Sequence, residues 1–360
     1  MIEIPVNLGQ RSYPIFVGAG AFARVGPELA KRGVGRRAVL VSDQTIAKLH
    51  ADPVLESLAH AGFDVARIMV PDGEKAKRLE VAGDLWDRLL DVGCDRTSTV
   101  VALGGGAVGD LAGFVAATYM RGMNFVQVPT TLLAQVDASI GGKTAIDHPR
   151  GKNLIGAFHQ PRIVAADTVA LTTLPGREFR SGLAEVIKHG IVLDASYFAE
   201  LERDLRPLLA RDLATLDRVV AGSCRLKAGV VERDEQEAEL RWVLNYGHTV
   251  GHALEAATDF GRWAHGEAVS LGIVAEAMLA ERLGIANGET TERQIRLLAA
   301  VGLPVRGLGV SPAAVVDALS RDKKRRDGRV SFVFAPRIGA FRIVPDVPRD
   351  AVEQVLNELL

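Results

Sequence analysis

The sequence has little of what marks several specialised classes of protein. Its 360 residues include only two cysteines, Cys94 and Cys224, which form no metal-binding motif and which we expect to be reduced thiols. The formal net charge is −1, so no overall positive field recruits nucleic acid or an anionic membrane. No apolar run approaches the roughly 20 residues that span a bilayer, and the N-terminus lacks the features of a signal peptide. We therefore predict a cytoplasmic protein without nucleic-acid or membrane partners.

What the sequence does contain is a regular alternation of strand-like and helix-like segments in its first half. Short apolar runs lie at residues 2–6, 15–17, 38–42, 65–70, 99–103, 125–128 and 163–166. Several runs are too apolar to have a solvated face, which is typical of a parallel sheet covered on both sides. Helical spacing lies between them at residues 79–92 and 107–119. The pattern predicts a doubly wound α/β domain.

The pattern changes at Leu174-Pro175, which we take as the domain boundary. From residue 178 to about 301 the spacing is helical, and Gly302-Leu303-Pro304 then interrupts it. Residues 329–334 and 340–344 resemble a late hairpin. Since single cores stop growing at roughly 250–300 residues, a chain of this length is expected to form two domains. We predict an α/β domain at residues 1–174 and a mainly helical domain at residues 175–360.

A glycine-rich loop follows one predicted strand and precedes a predicted helix. Residues 104–110 read GGGAVGD, which satisfies the G-x-G-x-x-G pattern for binding a pyrophosphate at a helix N-terminus. The alternative is a purely structural tight turn. The acid that usually follows about 20 residues later is missing, because residues 121–135 contain none. Asp43 and Glu74 are the upstream candidates to hold a ribose, which favours NAD over NADP, although Asp43 could instead be a helix N-cap.

Histidines and a carboxylate form a candidate metal site in the second half. His248 and His252 have the i, i+4 spacing of one helix face, and His265 follows. Upstream, Glu185 and Lys188 share a face of another predicted helix. Two histidines and one carboxylate are typical of a catalytic zinc site, whereas the alternative is a set of helix-surface histidines. Spacing alone leaves open which two histidines bind, and the absence of His-Glu-x-x-His argues against a metalloprotease.

Seven basic residues lie in unusual settings, several of them within glycine-rich or polar motifs. The alternative for each is an ordinary solvated side chain. Together they suggest a substrate with more than one anionic group, because arginine suits bidentate binding of carboxylate or phosphate and lysine acts as a point charge. The seven residues are Arg121, Lys143, Lys152, Lys188, Lys227, Arg241 and Lys323.

Six segments, in order, resemble the 3-dehydroquinate synthase family of sugar-phosphate cyclases, within the iron-type alcohol dehydrogenase superfamily. They are residues 104–122, 128–147, 151–156, 183–188, 240–252 and 265–267. The resemblance covers nearly the whole chain. It implies an N-terminal Rossmann-like α/β domain that binds NAD, an all-α C-terminal domain that binds a divalent metal, zinc or cobalt, and a homodimer.

The resemblance also implies roles for individual residues. The implied metal ligands are Glu185, His248 and His265, and the implied catalytic residues are Lys152, Lys188, Glu237, Asn245 and His252. The implied substrate-binding residues are Arg121, Lys143, Asn153, Lys227, Arg241 and Lys323. The implied NAD-binding residues are Asp43, Glu74, Lys77, Gly105, Gly106, Asp110, Thr130, Thr131, Asp137, Lys152, Thr173 and Leu174.

The implied reaction belongs to the shikimate pathway of aromatic amino-acid biosynthesis. A phosphorylated sugar acid, 3-deoxy-D-arabino-heptulosonate 7-phosphate, would be converted to 3-dehydroquinate and phosphate. The steps would be transient oxidation by NAD, phosphate elimination, reduction, ring opening and intramolecular aldol closure. The alternatives are another cyclase such as 2-deoxy-scyllo-inosose synthase, a polyol dehydrogenase, and a non-catalytic nucleotide-binding module.

Overall fold

The computed structural model describes residues 1–321 and 331–359. Its strands are β1 (Ile2–Val6), β2 (Tyr13–Val17), β3 (Arg37–Ser42), β4 (Asp64–Met69), β5 (Thr99–Gly104), β6 (Asn124–Pro129), β7 (Lys143–His148), β8 (Gly151–Phe158), β9 (Ile163–Ala166), β10 (Ser331–Phe334) and β11 (Arg342–Pro345). Its α-helices are α1 (Val25–Lys31), α2 (Gln44–His60), α3 (Leu79–Asp91), α4 (Gly106–Thr118), α5 (Gly176–Leu193), α6 (Ala195–Arg203), α7 (Leu205–Leu209), α8 (Leu213–Arg233), α9 (His248–Ala257), α10 (His265–Arg282), α11 (Gly288–Ala300), α12 (Pro312–Arg321) and α13 (Arg349–Glu358).

Seven strands form one sheet in the order β1-β2-β9-β6-β5-β3-β4. Only β1 and β2 pair antiparallel, and the other neighbours are parallel. Every residue of β5 is buried, as expected where apolar cores cover both faces of a parallel sheet. Each of the seven predicted apolar runs overlaps one of these strands, which confirms the predicted α/β fold. The separate hairpin of β7 and β8 was not predicted.

The chain divides into two compact units. The first contains Met1–Leu174 and Arg211–Gln236, and the second contains Pro175–Ala210 and Glu237–Leu360. The predicted division at residue 174 therefore differs for residues 211–236, which it assigns to the second domain. Within the first unit, α8 accepts a hydrogen bond from Thr168 Oγ1 at Asp217 Oδ1 (2.5 Å), and Cys224 Sγ donates to Gln135 O (3.3 Å). Helical spacing identifies such a helix but does not reveal which core it packs against.

The second unit is built mainly of helices, and its exception is a short hairpin. The strands β10 and β11 pair antiparallel from Ser331↔Pro345 to Phe334↔Arg342, so the unit is mostly helical and not all-α. Most residues of α5 and α10 are buried, as in helices at the centre of a core. Among the described residues, no helix is long and apolar enough to cross a membrane.

Candidate functional site

Three side chains with metal-binding groups meet inside the second unit. Glu185 lies in the middle of α5, His248 is the first residue of α9, and His265 is the first residue of α10. Glu185 Oε1 lies 3.4 Å from His248 Nε2 and 3.8 Å from His265 Nε2. The structure therefore brings together, from three helices, the three residues predicted as metal ligands.

Two glycines allow these helices to approach one another closely enough for the three metal-binding side chains to meet. Gly266 follows His265, and a Cβ atom there would lie 2.0 Å from the backbone oxygen of Ser181 on α5. The Ser181 side chain accepts a hydrogen bond from the Gly266 N–H (2.9 Å). Gly247 precedes His248 with a φ of +78°, and a Cβ atom there would lie 2.5 Å from Ile273 on α10. A larger residue at either position would push a histidine-bearing helix end away.

The geometry of the three residues fits a bound divalent metal. Ligand atoms about 2.0–2.2 Å from a tetrahedral metal lie roughly 3.4 Å from one another, close to the distances found here. These distances are long for direct hydrogen bonds. Glu185 is fully buried, and its Oε1 has no hydrogen-bond donor among the described residues. A buried carboxylate facing two imidazoles is stabilised by a cation placed between them.

Groups behind the two imidazoles hold the rings in orientations that suit metal binding. Nδ1 of His248 lies 3.1 Å from the carbonyl oxygen of Tyr246. Because a carbonyl can only accept, Nδ1 carries the proton and the lone pair on Nε2 faces Glu185. Nδ1 of His265 lies 3.5 Å from Glu255 Oε1. Such outer partners orient ligand histidines and raise their basicity in known metal sites.

The other predicted catalytic residues of the second unit lie near this cluster or along the preceding loop. His252 is one turn beyond His248 on α9, and their ring centroids are 5.2 Å apart. Lys188 is buried, forms an ion pair with Glu185 and donates to Leu244 O (2.7 Å). Arg241 is only 2% exposed and shares a 3₁₀ helix, Leu240–Asn245, with Asn245. Glu237 lies in the preceding loop in a left-handed conformation (φ +60°).

A second polar cluster lies in the first unit, around a buried lysine. Lys77 Nζ donates to Asp110 Oδ2 on α4 (2.8 Å) and to Asn153 Oδ1 on β8. Lys152, next along β8, has its Nζ 3.6 Å from Glu74 Oε1. Burial disfavours the charged ammonium of Lys77, but the charges of Asp110 and Glu74 outweigh it, and the pKa of Lys77 is raised. The structure thus brings together five of the predicted NAD- and substrate-binding residues.

A further ion pair in the first unit joins Asp137, a predicted NAD-binding residue, with Lys227, a predicted substrate-binding residue. Lys227 on α8 donates to both the carbonyl oxygen and Oδ1 of Asp137, each at 2.6 Å. Asp137 lies in a π-helical turn, Ala134–Ala138, a distortion that is frequent at functional sites. Residues 211–236 therefore contribute a cation to the first unit.

The remaining NAD-binding candidates lie at strand and helix ends of the first unit. Asp43 is the N-cap of α2, as one of the two interpretations from the sequence predicted. Its carboxylate accepts hydrogen bonds from Thr45 N and Ile46 N, each at 2.9 Å. Gly105 precedes α4, which begins at Gly106. Thr130 and Thr131 follow β6, and Thr173 and Leu174 follow the 3₁₀ helix Thr168–Thr172.

Three of the predicted cationic residues remain to be placed. Arg121 ends a 3₁₀ turn after α4 in a left-handed conformation (φ +67°), and Lys143 begins β7; both are exposed. Lys323 lies outside the described residues.

The comparisons with known proteins agree over the length of the chain. A family model described as 3-dehydroquinate synthase N-terminal matches residues 67–181, and one described as 3-dehydroquinate synthase C-terminal matches residues 182–325. A 3-dehydroquinate synthase of Geobacter metallireducens is 52% identical over 344 residues, which cover 96% of both chains. The chain belongs to the 3-dehydroquinate synthase family.

Two solved structures of related cyclases share the fold of this family member. A 2-deoxy-scyllo-inosose synthase complexed with carbaglucose-6-phosphate, NAD+ and Co2+ has a TM-score of 0.89 and 26% identity, covering all of both chains. The 2-epi-5-epi-valiolone synthase from Streptomyces hygroscopicus subsp. jinggangensis 5008, with NAD+ and Zn2+ bound, has a TM-score of 0.89 and 28% identity, covering 98% of both chains.

Sequence reasoning did not identify the residues that contact and orient the predicted site residues. Glu255 faces His265 and lies three residues after His252, so its helical spacing was a usable signal. Tyr246 acts through its carbonyl oxygen, which no side-chain pattern can reveal. Asp147 reaches Asn153 across the β7–β8 hairpin, and only the paired strands show this contact.

Proposed function

We propose that this chain converts 3-deoxy-D-arabino-heptulosonate 7-phosphate to 3-dehydroquinate and phosphate. The observation that carries the proposal is 52% identity to a curated 3-dehydroquinate synthase over nearly the full length of both chains. The buried Glu185, His248 and His265 cluster supports it, because a metal-assisted oxidation needs such a site. The reaction is a lyase reaction in which NAD is regenerated.

The proposed cofactors are NAD and a divalent metal, zinc or cobalt. The two related cyclase structures hold NAD+ with Co2+ or Zn2+, which supports this choice. When bound, NAD supplies reversible hydride transfer, and the metal acidifies the substrate hydroxyl that is oxidised. Glu185, His248 and His265 would hold the metal. The Gly105–Gly106 turn at the start of α4, with Asp43 and Glu74, would hold the nucleotide.

The remaining side chains bind and orient the two anionic ends of the substrate. Arg241 offers a buried planar fork to the carboxylate, where a charged hydrogen bond is strong. Lys152 and Asn153 on β8 are proposed to bind the phosphate, and the family resemblance assigns Lys188 and His252 to the same group. Their charges stabilise the leaving phosphate, and that phosphate can itself accept the proton from the adjacent carbon.

A second cyclase activity, that of a 2-deoxy-scyllo-inosose synthase, is the alternative, because a structure of such an enzyme shares the fold with a TM-score of 0.89. Its identity to this chain is 26%, against 52% for the Geobacter relative. The ligand in that structure, carbaglucose-6-phosphate, carries no carboxylate. The buried guanidinium of Arg241 is better matched to a substrate that has one.

The decisive experiment measures products and redox balance together. Purified enzyme with metal and a catalytic amount of NAD is given the heptulosonate phosphate, and released phosphate is measured alongside absorbance of NADH. We expect one phosphate per turnover, no accumulation of NADH in step with product, and retention of deuterium placed at C5. Stoichiometric NADH, or loss of the deuterium to solvent, would contradict the proposal. Turnover of glucose 6-phosphate in place of the heptulosonate would favour the alternative cyclase.

We further propose a homodimer in which Arg121 acts in the partner's site. β8 pairs with β7 alone among the described strands, and it exposes Leu154 (47%) and Ile155 (37%). Exposed apolar residues on an edge strand are typical of an interface. Isolated heterodimers of Arg121→Ala and Lys152→Ala should regain about half of wild-type activity, because one of the two symmetric sites is intact. Heterodimers that stay inactive would place Arg121 in its own site.

We propose a cytoplasmic location with the phosphorylated sugar acid as the only partner besides cofactors and a second copy. Cys94 and Cys224 are both buried and free, as expected in a reducing compartment. The net charge of −1 supports the absence of nucleic-acid and membrane partners. Fractionation of cells with an antibody to the native chain tests the location.

A further inference from the structure

The β7–β8 hairpin has an irregular end that carries two of the proposed substrate residues. Ile146 pairs with Ile155 and His148 pairs with Gly151, and the register shifts between these pairs, at Asp147. We call residues 147–153 the hairpin tip. It contains Lys152 and Asn153. An irregular register leaves backbone groups without regular ladder partners, so other contacts must fix the shape of the tip.

Asn153 needs such a contact because its backbone is left-handed. Its φ is +55°, a region that costs energy for residues with a side chain, although asparagine tolerates it better than most. The Asn153 N–H donates to Asp147 Oδ1 across the hairpin tip (2.8 Å). This hydrogen bond favours the conformation in which Asn153 Oδ1 contacts the ammonium of Lys77.

Asp147 also ties the hairpin tip to the buried lysine through its backbone. The Asp147 N–H donates to the carbonyl oxygen of Lys77 (2.7 Å). The Asp147 carboxylate is 4.0 Å from Lys77 Nζ, whereas Asp110 is at 2.8 Å. Asp110 therefore neutralises Lys77 at closer range. The hydrogen bond from the Asn153 N–H (2.8 Å) is therefore a stronger contact of the Asp147 side chain than the 4.0 Å approach to Lys77.

We propose that Asp147 is a positioning residue that acts through Asn153, holding Lys152 and Asn153 where they receive the phosphate of the substrate. This inference rests on the proposed function, because that function assigns the phosphate to Lys152 and Asn153. A direct contact between the Asp147 carboxylate and phosphate would be repulsive, so its contribution is made through the protein backbone.

The geometry specifies which property of Asp147 matters. An oxygen acceptor at the Oδ1 position is required, and the negative charge is not. Asp147→Asn retains the acceptor and removes the charge, whereas Asp147→Ala removes both. Asp87→Ala makes the same chemical change on the exposed face of α3 and is the matched control. Asp147→Ala should therefore be impaired relative to Asp147→Asn. Asp147→Asn and the control Asp87→Ala should both behave like the wild type.

Two measurements test the role, one of them independent of turnover. Affinity for inorganic phosphate is measured by calorimetry on the NAD- and metal-loaded enzyme, and kcat/KM is measured with the heptulosonate phosphate. For Asp147→Ala we expect phosphate affinity and kcat/KM to fall roughly tenfold to a hundredfold, as for other misplaced binding groups. For Asp147→Asn both should stay within about threefold of wild type. Hydrogen exchange at residues 151–153 should quicken only in Asp147→Ala.

The outcomes separate the inference from the proposed function. An inactive wild type that nevertheless binds phosphate, with Asp147→Ala binding it more weakly, sinks the proposed function and supports the positioning role. An active wild type with an equally active Asp147→Ala overturns the inference alone. Equal impairment of the alanine and asparagine variants also overturns it, because the charge and not the acceptor would then matter. Should Asp147→Ala fail to fold, wild-type phosphate affinity in Asp147→Asn supports the role, and a loss there overturns it.

Discussion

The proposed metal ligands of the second unit and the lysine clusters of the first unit hold their charged groups in different ways. In the second unit, Glu185, His248 and His265 turn lone pairs toward a common point, 3.4 Å and 3.8 Å apart across the carboxylate oxygen. In the first unit, the lysines already have carboxylate partners: Lys77 is 2.8 Å from Asp110, and Lys227 is 2.6 Å from Asp137. The proposed metal ligands present lone pairs that can bind a cation, although Lys188 also pairs with Glu185, whereas these two lysine clusters consist of oppositely charged pairs.

The same kind of substitution is therefore expected to have different consequences in the two units. Removing a metal ligand from the second unit weakens the proposed metal site, because each ligand supplies one of the few bonds to the metal. Removing one partner of a balanced pair in the first unit leaves an unpaired charge, and therefore affects positioning and stability. The following predictions test this contrast, beginning with the largest expected effect.

Loss of a proposed metal ligand should have the largest effect. We expect His265→Ala to lose most bound metal and nearly all activity, because one of three protein ligands disappears. Chelation of the wild type should abolish activity, and zinc or cobalt should restore it. Metal content is measured by atomic emission after dialysis.

The matched control is the neighbouring histidine on α9. His252→Ala should retain its metal yet turn over poorly, since His252 is proposed to act near the phosphate. Loss of metal in His252→Ala, together with retained metal in His248→Ala, would show that the alternative group of His252, Glu255 and His265 is the binding site. Full activity of metal-free enzyme would contradict the contrast itself.

Much of the fold could be predicted because its signals are local. The seven apolar runs mark the strands of the main sheet directly, and the glycine motif at residues 104–110 spans the junction from the end of β5 to the start of α4, as its pattern indicates. The metal cluster is different. Glu185 and His265 are 80 positions apart, and spacing left open which two of His248, His252 and His265 bind the metal. Only the resemblance indicated the group whose atoms the structure brings together.

The rest depends on long-range packing that sequence periodicity does not encode. α8 reads as one more helix of a helical region, yet it belongs to the first unit, where Lys227 meets Asp137. The β7–β8 hairpin was not recognised because residues 143–158 contain two glycines, a proline and many polar residues, which weaken the strand signal. Asp147 ends the family segment at residues 128–147 and Glu255 lies outside the six segments, but neither received a predicted role, because each contacts other protein residues.

The next largest effect concerns the proposed carboxylate partner, Arg241. Arg241→Met keeps much of the buried volume but removes the guanidinium, and substrate binding should weaken by roughly 2–4 kcal/mol. The measurement is the dissociation constant of a non-reacting carbocyclic phosphonate, with and without its carboxylate. Arg293→Met, which removes an arginine paired with Glu202 in the same unit, is the control. Equal weakening for both ligands would mean that Arg241 does not bind the carboxylate.

A smaller effect is expected behind the metal ligands. Glu255→Gln should lower metal affinity by about tenfold to a hundredfold, because its carboxylate no longer orients and polarises His265. Competition with a zinc chelator of known affinity measures this change. Glu281→Gln removes an exposed carboxylate from the same unit and should leave metal affinity unchanged. Equal metal affinity in wild type and Glu255→Gln would show that the contact of Glu255 with His265, at 3.5 Å, does not affect metal binding.

The smallest effect is expected from an ion-pair cluster on α1 that is not part of either predicted site. Glu28 on α1 lies 2.7 Å from Arg24, 2.8 Å from Lys31 and 3.2 Å from Arg32. Burial of the Glu28 carboxylate opposes ionisation, but hydrogen bonds from Lys31 and Arg32 outweigh burial and hold its pKa below the ordinary value. A carboxylate with a lowered pKa stabilises the fold above its unfolded pKa, and this stabilisation is lost as the pH falls through the folded pKa.

Glu28→Gln should therefore reduce the free energy of unfolding by about 1 kcal/mol at pH 7, as expected for a largely buried carboxylate with several partners at the protein surface. The difference from wild type should shrink as the pH falls below about 4, where the unfolded carboxylate is protonated and its folded counterpart begins to follow. Urea unfolding at several pH values gives both numbers. Metal content and kcat/KM should stay at wild-type values, because Glu28 touches neither cluster. A loss of metal in this variant would contradict the contrast between the proposed metal ligands and the ion pairs. An ion pair of the first unit would then affect metal binding in the second unit.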